Sequence, residues 1–234
     1  MNHDDPVRLI AITGGSGAGK TWLADRLQML LGKKAGRLSQ DSFYRDWSHL
    51  PAAERSQVNF DHPEALDWTD FSEALAALRA GRSCQLPSYD YQTHCRLPDG
   101  VTLRPRQLMI VDGLWLLHTP EVRRQFDLTV FLNCPEDERL RRRIARDTVE
   151  RSRTPASVEE QFQSTVAPMH GQFVGPQAAY ADVLLHHPCR DAEVLQLEER
   201  LNRLVPIGTS IRDRFLALFN IQTHSLAQAA AVLP

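Results

Sequence analysis

The sequence predicts an α/β fold, a parallel β-sheet flanked by helices, and three observations carry this. Largely apolar runs recur at Val7–Ile12, Leu108–Val111 and Leu128–Leu132, as expected of strands buried on both faces. Helical patterns alternate with them, which argues for crossover connections. The first run leads straight into Gly14-Gly15-Ser16-Gly17-Ala18-Gly19-Lys20-Thr21, the G-x-x-x-x-G-K-[ST] spacing of a phosphate-binding loop. In such sheets ligands lie outside the carboxyl ends of the strands.

Each element follows in order. The helix after the loop runs near Lys20–Leu31, with Gly32 as its stop. A short strand is expected near Gly36–Ser39 and a loop over 45–63. Asp67 or Thr69 caps a helix reaching about Ala80, with Phe71, Leu75 and Leu78 on one face and Gly81 ending it. Residues 82–105, punctuated by Pro87, Pro98, Gly100 and Pro105, predict a small β-hairpin subdomain standing off the main sheet. Pro135 opens a helix whose first turn holds Glu136, Asp137 and Glu138. Pro155 starts another at about 155–166. A last strand is read at Ala181–Leu185 and an amphipathic helix at Asp191–Leu204. The expected organisation is one domain over 1–206, with a C-terminal tail at 207–234 that forms a further helix or hangs loosely.

Composition bounds the function. The 234 residues are 42% hydrophobic and 24% charged, enough for one globular core. A net charge of -2 gives no general electrostatic case for nucleic acid or an anionic membrane. The sequence has no 18-residue apolar run, so no membrane span is expected. The opening Met-Asn-His-Asp-Asp-Pro lacks the basic and apolar regions of a secretory signal. Cys84, Cys95, Cys134 and Cys189 make no C-x-x-C pair, which predicts reduced thiols and a cytoplasmic location.

The loop predicts the chemistry of the donor. Its glycines leave backbone N–H groups free to wrap a polyphosphate, and Lys20 supplies a point charge for the β- and γ-phosphates. The Thr21 hydroxyl is a ligand for Mg²⁺, and the helix N-terminus favours the anion. Two acidic residues follow strands. Asp112 is a candidate Mg²⁺ ligand or simply a turn residue of Asp-Gly. Asp41 is a candidate base or a local turn former, and its own sequence does not separate these.

Between Arg139 and Arg153 stand seven arginines. Arg139, Arg142, Arg143 and Arg146 share one helical face, with Leu140 and Ile144 off it and toward the core. Three readings remain open: a solvated face, a nucleic-acid patch, or an arginine-rich lid closing on a nucleotide.

Several ordered blocks together resemble the uridine kinase (uridine–cytidine kinase) family of P-loop nucleoside kinases. Beyond the phosphate loop they are Ser-Gln-Asp-Ser-Phe-Tyr (39–44), Asn-Phe-Asp-His-Pro-Glu-Ala (59–65), Tyr-Asp-Tyr-Gln-Thr-His (89–94) and Val-Asp-Gly-Leu (111–114). Arg-Arg-Ile-Ala-Arg-Asp (142–147), Glu-Arg-Ser-Arg (150–153), Gln161 and Tyr-Ala-Asp-Val-Leu (180–184) complete the set. The resemblance runs from about Val7 to Leu185 and implies a P-loop NTPase-type sheet with a helical lid at about 136–166. It implies transfer of the ATP γ-phosphate to the 5′-hydroxyl of uridine or cytidine, a step of pyrimidine salvage.

By the same resemblance, Asp41 is the general base and part of the Mg²⁺ water shell, with Tyr44 beside it. Asp61 holds the ribose hydroxyls with Arg143 as partner, and Tyr89 and His94 read the pyrimidine. Arg146 and Arg151 fall on lid positions at the ATP phosphates, and Arg153 and Gln161 on the nucleoside side. The sequence departs from the family at Ser152, where Gly is frequent, and at Asp112, where Glu is usual. The family also implies a homo-oligomer, commonly a tetramer. The competing expectations are a phosphoribulokinase- or pantothenate kinase-like enzyme with another small acceptor, and a non-catalytic nucleotide-binding regulator.

Overall fold

Five parallel strands in the order β2-β5-β1-β6-β7 form the central sheet of the computed structural model, which describes residues 6–205 except 56 and 92. The chain runs β1 (Arg8–Gly14), α1 (Lys20–Leu31), β2 (Ala35–Ser39), a short α2 (Ala52–Arg55) and α3 (Trp68–Arg79). The hairpin β3 (Cys84–Asp90) and β4 (Cys95–Leu103) follows, then β5 (Leu108–Gly113), a short α4 (Pro120–Arg123) and β6 (Leu128–Asn133). The last third holds α5 (Glu136–Glu150), α6 (Pro155–Gln161), α7 (Ala167–Met169), β7 (Val183–His186) and α8 (Asp191–Leu204). The expected tail at 207–234 lies outside the described residues.

The strand side chains alternate between two cores. Leu9, Ala11, Met109 and Val111 face Phe71, Leu75 and Leu78 of α3, with Trp115 buried among them. Ile10, Ile12, Ile110 and Val130 face Leu23, Leu27 and Leu31 of α1 and Val194, Leu197 and Leu201 of α8. Both faces being covered is why the strands read as continuous apolar runs. The boundaries of α1 and α8 match the sequence expectation. Asp67 is the cap of α3, its side chain accepting from Asp70 N at 3.2 Å. The hairpin forms a separate antiparallel pair, as expected.

Two regions depart from expectation. The helix predicted at 155–166 continues to Tyr180 through π-helical turns at Phe162–Val166 and His170–Val174 and a 3₁₀ stretch at Gly175–Tyr180. Pro168, Gly171, Gly175 and Pro176 hide this continuation from a propensity reading. Tertiary packing overrides them: Val158, Phe162, Val166 and Val174 are all buried. The second departure is α5, whose buried residues are Arg139, Arg143 and Asp147. Leu140 and Ile144, expected toward the core, are only half-buried. The helix is turned with charge inward because its neighbour is a polar cleft, not the apolar core.

Buried side-chain amides tie the pieces together. Gln177 Oε1 accepts from Leu117 N at 2.8 Å, while its Nε2 donates to Leu114 O and Phe173 O, both at 2.8 Å. Gln40 Oε1 accepts from Trp115 N at 3.0 Å. These bonds fix the segment after β5, where no regular element supplies partners. No helix among the described residues is long and apolar enough to cross a membrane. Gln177→Leu should lower unfolding free energy by about 1–3 kcal/mol, because it strands the buried Leu117 N–H without a partner. Urea denaturation measures this, and an unchanged midpoint would contradict it.

Candidate active site

The register of the sheet decides where the acidic residues fall. Ser39 of β2 pairs with Asp112 of β5, and Ile12 of β1 with the same Asp112. The ends of β2 and β5 and the start of the phosphate loop therefore lie side by side. Asp41, Asp112 and residues 16–21 line one cleft of about 1360 Å³. Gly14 ends β1 and Gly15 begins the loop; the Gly15 carbonyl accepts from Lys20 Nζ at 3.0 Å. Burial lowers the Lys20 pKa, and Asp41 and Asp112 oppose that shift.

The wall facing the loop is α5. Gly17 has φ +81, and a Cβ there would stand 2.5 Å from the Arg139 carbonyl oxygen. Only glycine fits both the backbone conformation and the approach. Arg143 NH1 donates to Ser16 Oγ at 2.9 Å, and Arg142 NH1 reaches Ala18 O at 3.5 Å.

Burial raises the Asp41 carboxyl above its ordinary value, with Lys20 opposing. Asp112 is buried and accepts from Arg37 Nε at 3.1 Å; Arg37 also pairs with Asp25. Thr21, Asp41 and Asp112 place a hydroxyl and two carboxylates in one cleft, an all-oxygen set of the kind Mg²⁺ takes.

The other arm of the cleft is aromatic. Tyr44 donates to Phe60 O at 3.1 Å, and its ring lies 5.5 Å from that of Tyr89. Phe60 and His94 stack at 4.4 Å and 16°. The hydroxyl of Tyr89 is buried without a hydrogen-bond partner, a polar group placed to meet something else. Burial lowers the His94 pKa, helped by Arg151 and Arg55, so the ring is neutral near pH 7. Asp61 is 8% exposed and faces Arg143 NH1 at 3.9 Å. Burial raises its pKa and Arg143 opposes the rise. Gln161 Oε1 accepts from Arg143 NH2 at 3.0 Å and also from Arg153.

Every side chain singled out from sequence, from Lys20 to Gln161, lines this one cleft. Arg146 and Arg151 enter from the end of α5, Arg151 lying over the Tyr91 ring at 5.5 Å. Sequence reasoning gave no role to Phe60 or Tyr91, although both sit inside quoted blocks. It also gave none to Asn133, His187 or Cys189, which line the far end. No local pattern marks those three, since β6 and β7 bring them together.

The turn between α5 and α6 explains one departure from the family pattern. Ser152 has φ +53, a left-handed conformation that glycine adopts without strain.

Comparisons with known proteins give the family and the fold. A model described as the phosphoribulokinase/uridine kinase family matches residues 9–192. A uridine kinase of Chloroflexus aurantiacus is 42% identical over 177 residues, covering 75% of this chain and 85% of the relative. A uridine kinase of Halobacterium salinarum is 36% identical over 196 residues, covering 84% and 87%. Among solved structures, phosphoribulokinase from Rhodobacter spheroides superposes with a TM-score of 0.59 at 15% identity, covering 78% of this chain and 71% of that one. That last likeness concerns the fold alone.

Ser152→Gly should raise the thermal midpoint by about 2–4 °C, the shift expected from relieving roughly 1 kcal/mol of backbone strain. Calorimetry checks it, and a lowered midpoint would mean that the Ser152 side chain earns its place by a contact.

Proposed function

Because the chain belongs to the phosphoribulokinase/uridine kinase family, we propose that it transfers the γ-phosphate of ATP to the 5′-hydroxyl of uridine or cytidine. The observation that carries the acceptor is the aromatic arm of the cleft. Tyr44, Phe60, Tyr89 and His94 line the same cleft as Asp61, Arg143 and the phosphate loop. A planar base with an attached ribose fits that combination. A phosphorylated sugar or pantothenate offers no ring for the aromatic walls. A non-catalytic regulator would not need Asp41 beside the loop. The relatives of 36–42% identity disfavour both alternatives.

The residues divide the work. The loop N–H groups and Lys20 hold the β- and γ-phosphates, and Arg146 and Arg151 oppose the charge on the transferred group. Asp61 accepts from the ribose hydroxyls, a task suited to a carboxylate with two oxygens, and Arg143 favours its charged form against burial. Neutral His94 donates to a uracil oxygen or accepts from a cytosine amine according to tautomer, which suits both bases. Tyr89 directs its unpaired hydroxyl or its ring at the base, and Arg153 and Gln161 close the nucleoside side. Thr21, Asp41 and Asp112 would hold Mg²⁺, which neutralises charge on the phosphate oxygens when bound.

In the transfer itself the 5′-oxygen forms a bond to the γ-phosphorus, the bond to ADP breaks, and the hydroxyl proton passes to Asp41. We extend the proposal to a cytoplasmic enzyme of pyrimidine salvage, in keeping with four free cysteines. Homo-oligomerisation is part of the same reading, and sedimentation tests it.

An acceptor panel with ATP and Mg²⁺, scored by 5′-monophosphate, tests the function. ADP formation that no nucleoside stimulates would overturn it. Asp41→Asn should cut kcat by on the order of 100-fold or more while ATP affinity changes little. The base must be ionised and its pKa is raised above 3.8. Activity is therefore present above that raised value and lost as pH falls through it. In a pH–rate profile Asp41→Asn should lack this acid limb.

His94→Ala should raise the nucleoside KM at least about tenfold and leave that of ATP nearly unchanged, the loss of one hydrogen bond and a stacked ring. Equal losses for donor and acceptor would remove His94 from the base-reading role. The ordinary histidine pKa of 6.5 is lowered here, so the nucleoside KM should be flat at neutral and alkaline pH and rise as the pH falls through the lowered value.

A further inference from the structure

One buried charge has no part in the chemistry above. Asp147, in the last turn of α5, is fully buried. Four guanidinium groups surround its carboxylate. Arg146 Nε and NH2 each lie 2.8 Å from Oδ1, and Arg151 NH1 lies 3.8 Å from the same oxygen. Arg143 Nε and Arg153 NH1 stand 3.5 and 3.8 Å from Oδ2. The Asp147 carbonyl oxygen also accepts from Arg151 N and Arg153 N, both at 3.2 Å, across the strained Ser152 turn.

All four arginines line the cleft. Three of them also meet a cleft partner: Arg143 faces Asp61 and Ser16, Arg153 bonds Gln161, and Arg151 lies over the Tyr91 ring. Arg146, with two nitrogens on Oδ1, satisfies that oxygen, while the buried Oδ2 has no hydrogen bond and only the longer ion-pair contacts. The other three are at ion-pair distance, and like charges so close together repel. An anion at their centre offsets that repulsion.

We propose that Asp147 is the positioning residue of the transfer, gathering Arg143, Arg146, Arg151 and Arg153 at the cleft wall before substrates arrive. This rests on the kinase reading above. Guanidinium groups fixed in advance need not reorganise as charge shifts onto the transferred phosphoryl group, and that preorganisation is where such groups gain their catalytic effect. Asp147 touches no reacting atom and acts only through the arginines.

The test has two independent arms. In the first, ¹⁵N-arginine NMR of the whole chain follows the side-chain Nε–H signals. The wild type should show restrained, dispersed signals for the four arginines, and Asp147→Asn should collapse them toward the free-arginine position. Dispersed signals that survive in Asp147→Asn overturn the proposal.

In the second arm, Asp147→Asn should lower kcat by on the order of 100-fold and raise the nucleoside KM, with the ATP KM within about threefold. Asp147→Glu, which keeps the charge, should recover at least about tenfold of that loss. Asp147→Asn combined with Arg151→Gln should be little worse than the more damaged single variant, since both act through one unit. Near-wild-type kcat in a folded Asp147→Asn, or fully additive losses, overturns the proposal.

If Asp147→Asn does not fold, Asp147→Glu decides: a folded variant with reduced kcat supports positioning, and wild-type kcat overturns it. If neither folds, Asp147 serves the fold and the proposal falls. A wild-type chain that phosphorylates no nucleoside defeats the functional reading, while the NMR arm still decides on Asp147.

Discussion

The phosphate loop and the arginine helix are packed so closely that Gly17 leaves no room for a Cβ against the Arg139 carbonyl. Much of the site follows from this approach. A helix backbone that near the loop must project its facing side chains into the cleft, and in α5 those are arginines. Guanidinium groups placed there are partly removed from water, at a cost of several kcal/mol each unless paired. The pairing is visible as Asp61 on one side, Asp147 on the other and Gln161 between. The aromatic arm, the loop and the helix therefore form one electrostatic unit.

The sheet supplies the second constraint. Parallel strands with common register end at one edge, so residues distant in sequence meet there for geometric reasons alone. Asp41 follows β2, Asp112 lies within β5, and the loop follows β1. The opposing pKa shifts of Asp41 and Lys20 have the same origin. Both are withdrawn from water by the cleft, and each favours the charged form of the other. Asp112 in place of a longer glutamate sits in contact with Arg37, so its carboxylate is held by the protein itself.

Much of this was legible in the chain. The recurrent apolar runs gave the sheet, because strands covered on both faces are apolar at most positions. The loop spacing gave phosphate binding, because the glycines and Lys20 act locally. The ordered blocks pointed to residues that line the one cleft. The long helical path to Tyr180 was not legible, because its prolines and glycines weigh against helix and only burial of Val166 and Val174 offsets them. Gln40 and Gln177 were not legible either, since a glutamine that satisfies distant backbone groups carries no local signal.

The arginine helix marks the boundary most clearly. Its seven arginines were plain in the sequence, and their spacing put four on one face. By itself that pattern fits a solvated surface as well as a binding wall, because periodicity reports which residues share a face and not what the face meets. The sequence determined the strands, the phosphate loop and the residue types available for chemistry, all of which depend on neighbours along the chain. Only the tertiary structure decided that the charged face points inward, that a fully buried Asp147 stands at its centre, and that Phe60 stacks on His94 across the acceptor pocket. Those outcomes depend on contacts between segments far apart in the chain, whose desolvation and charge balance exist only once the fold has closed.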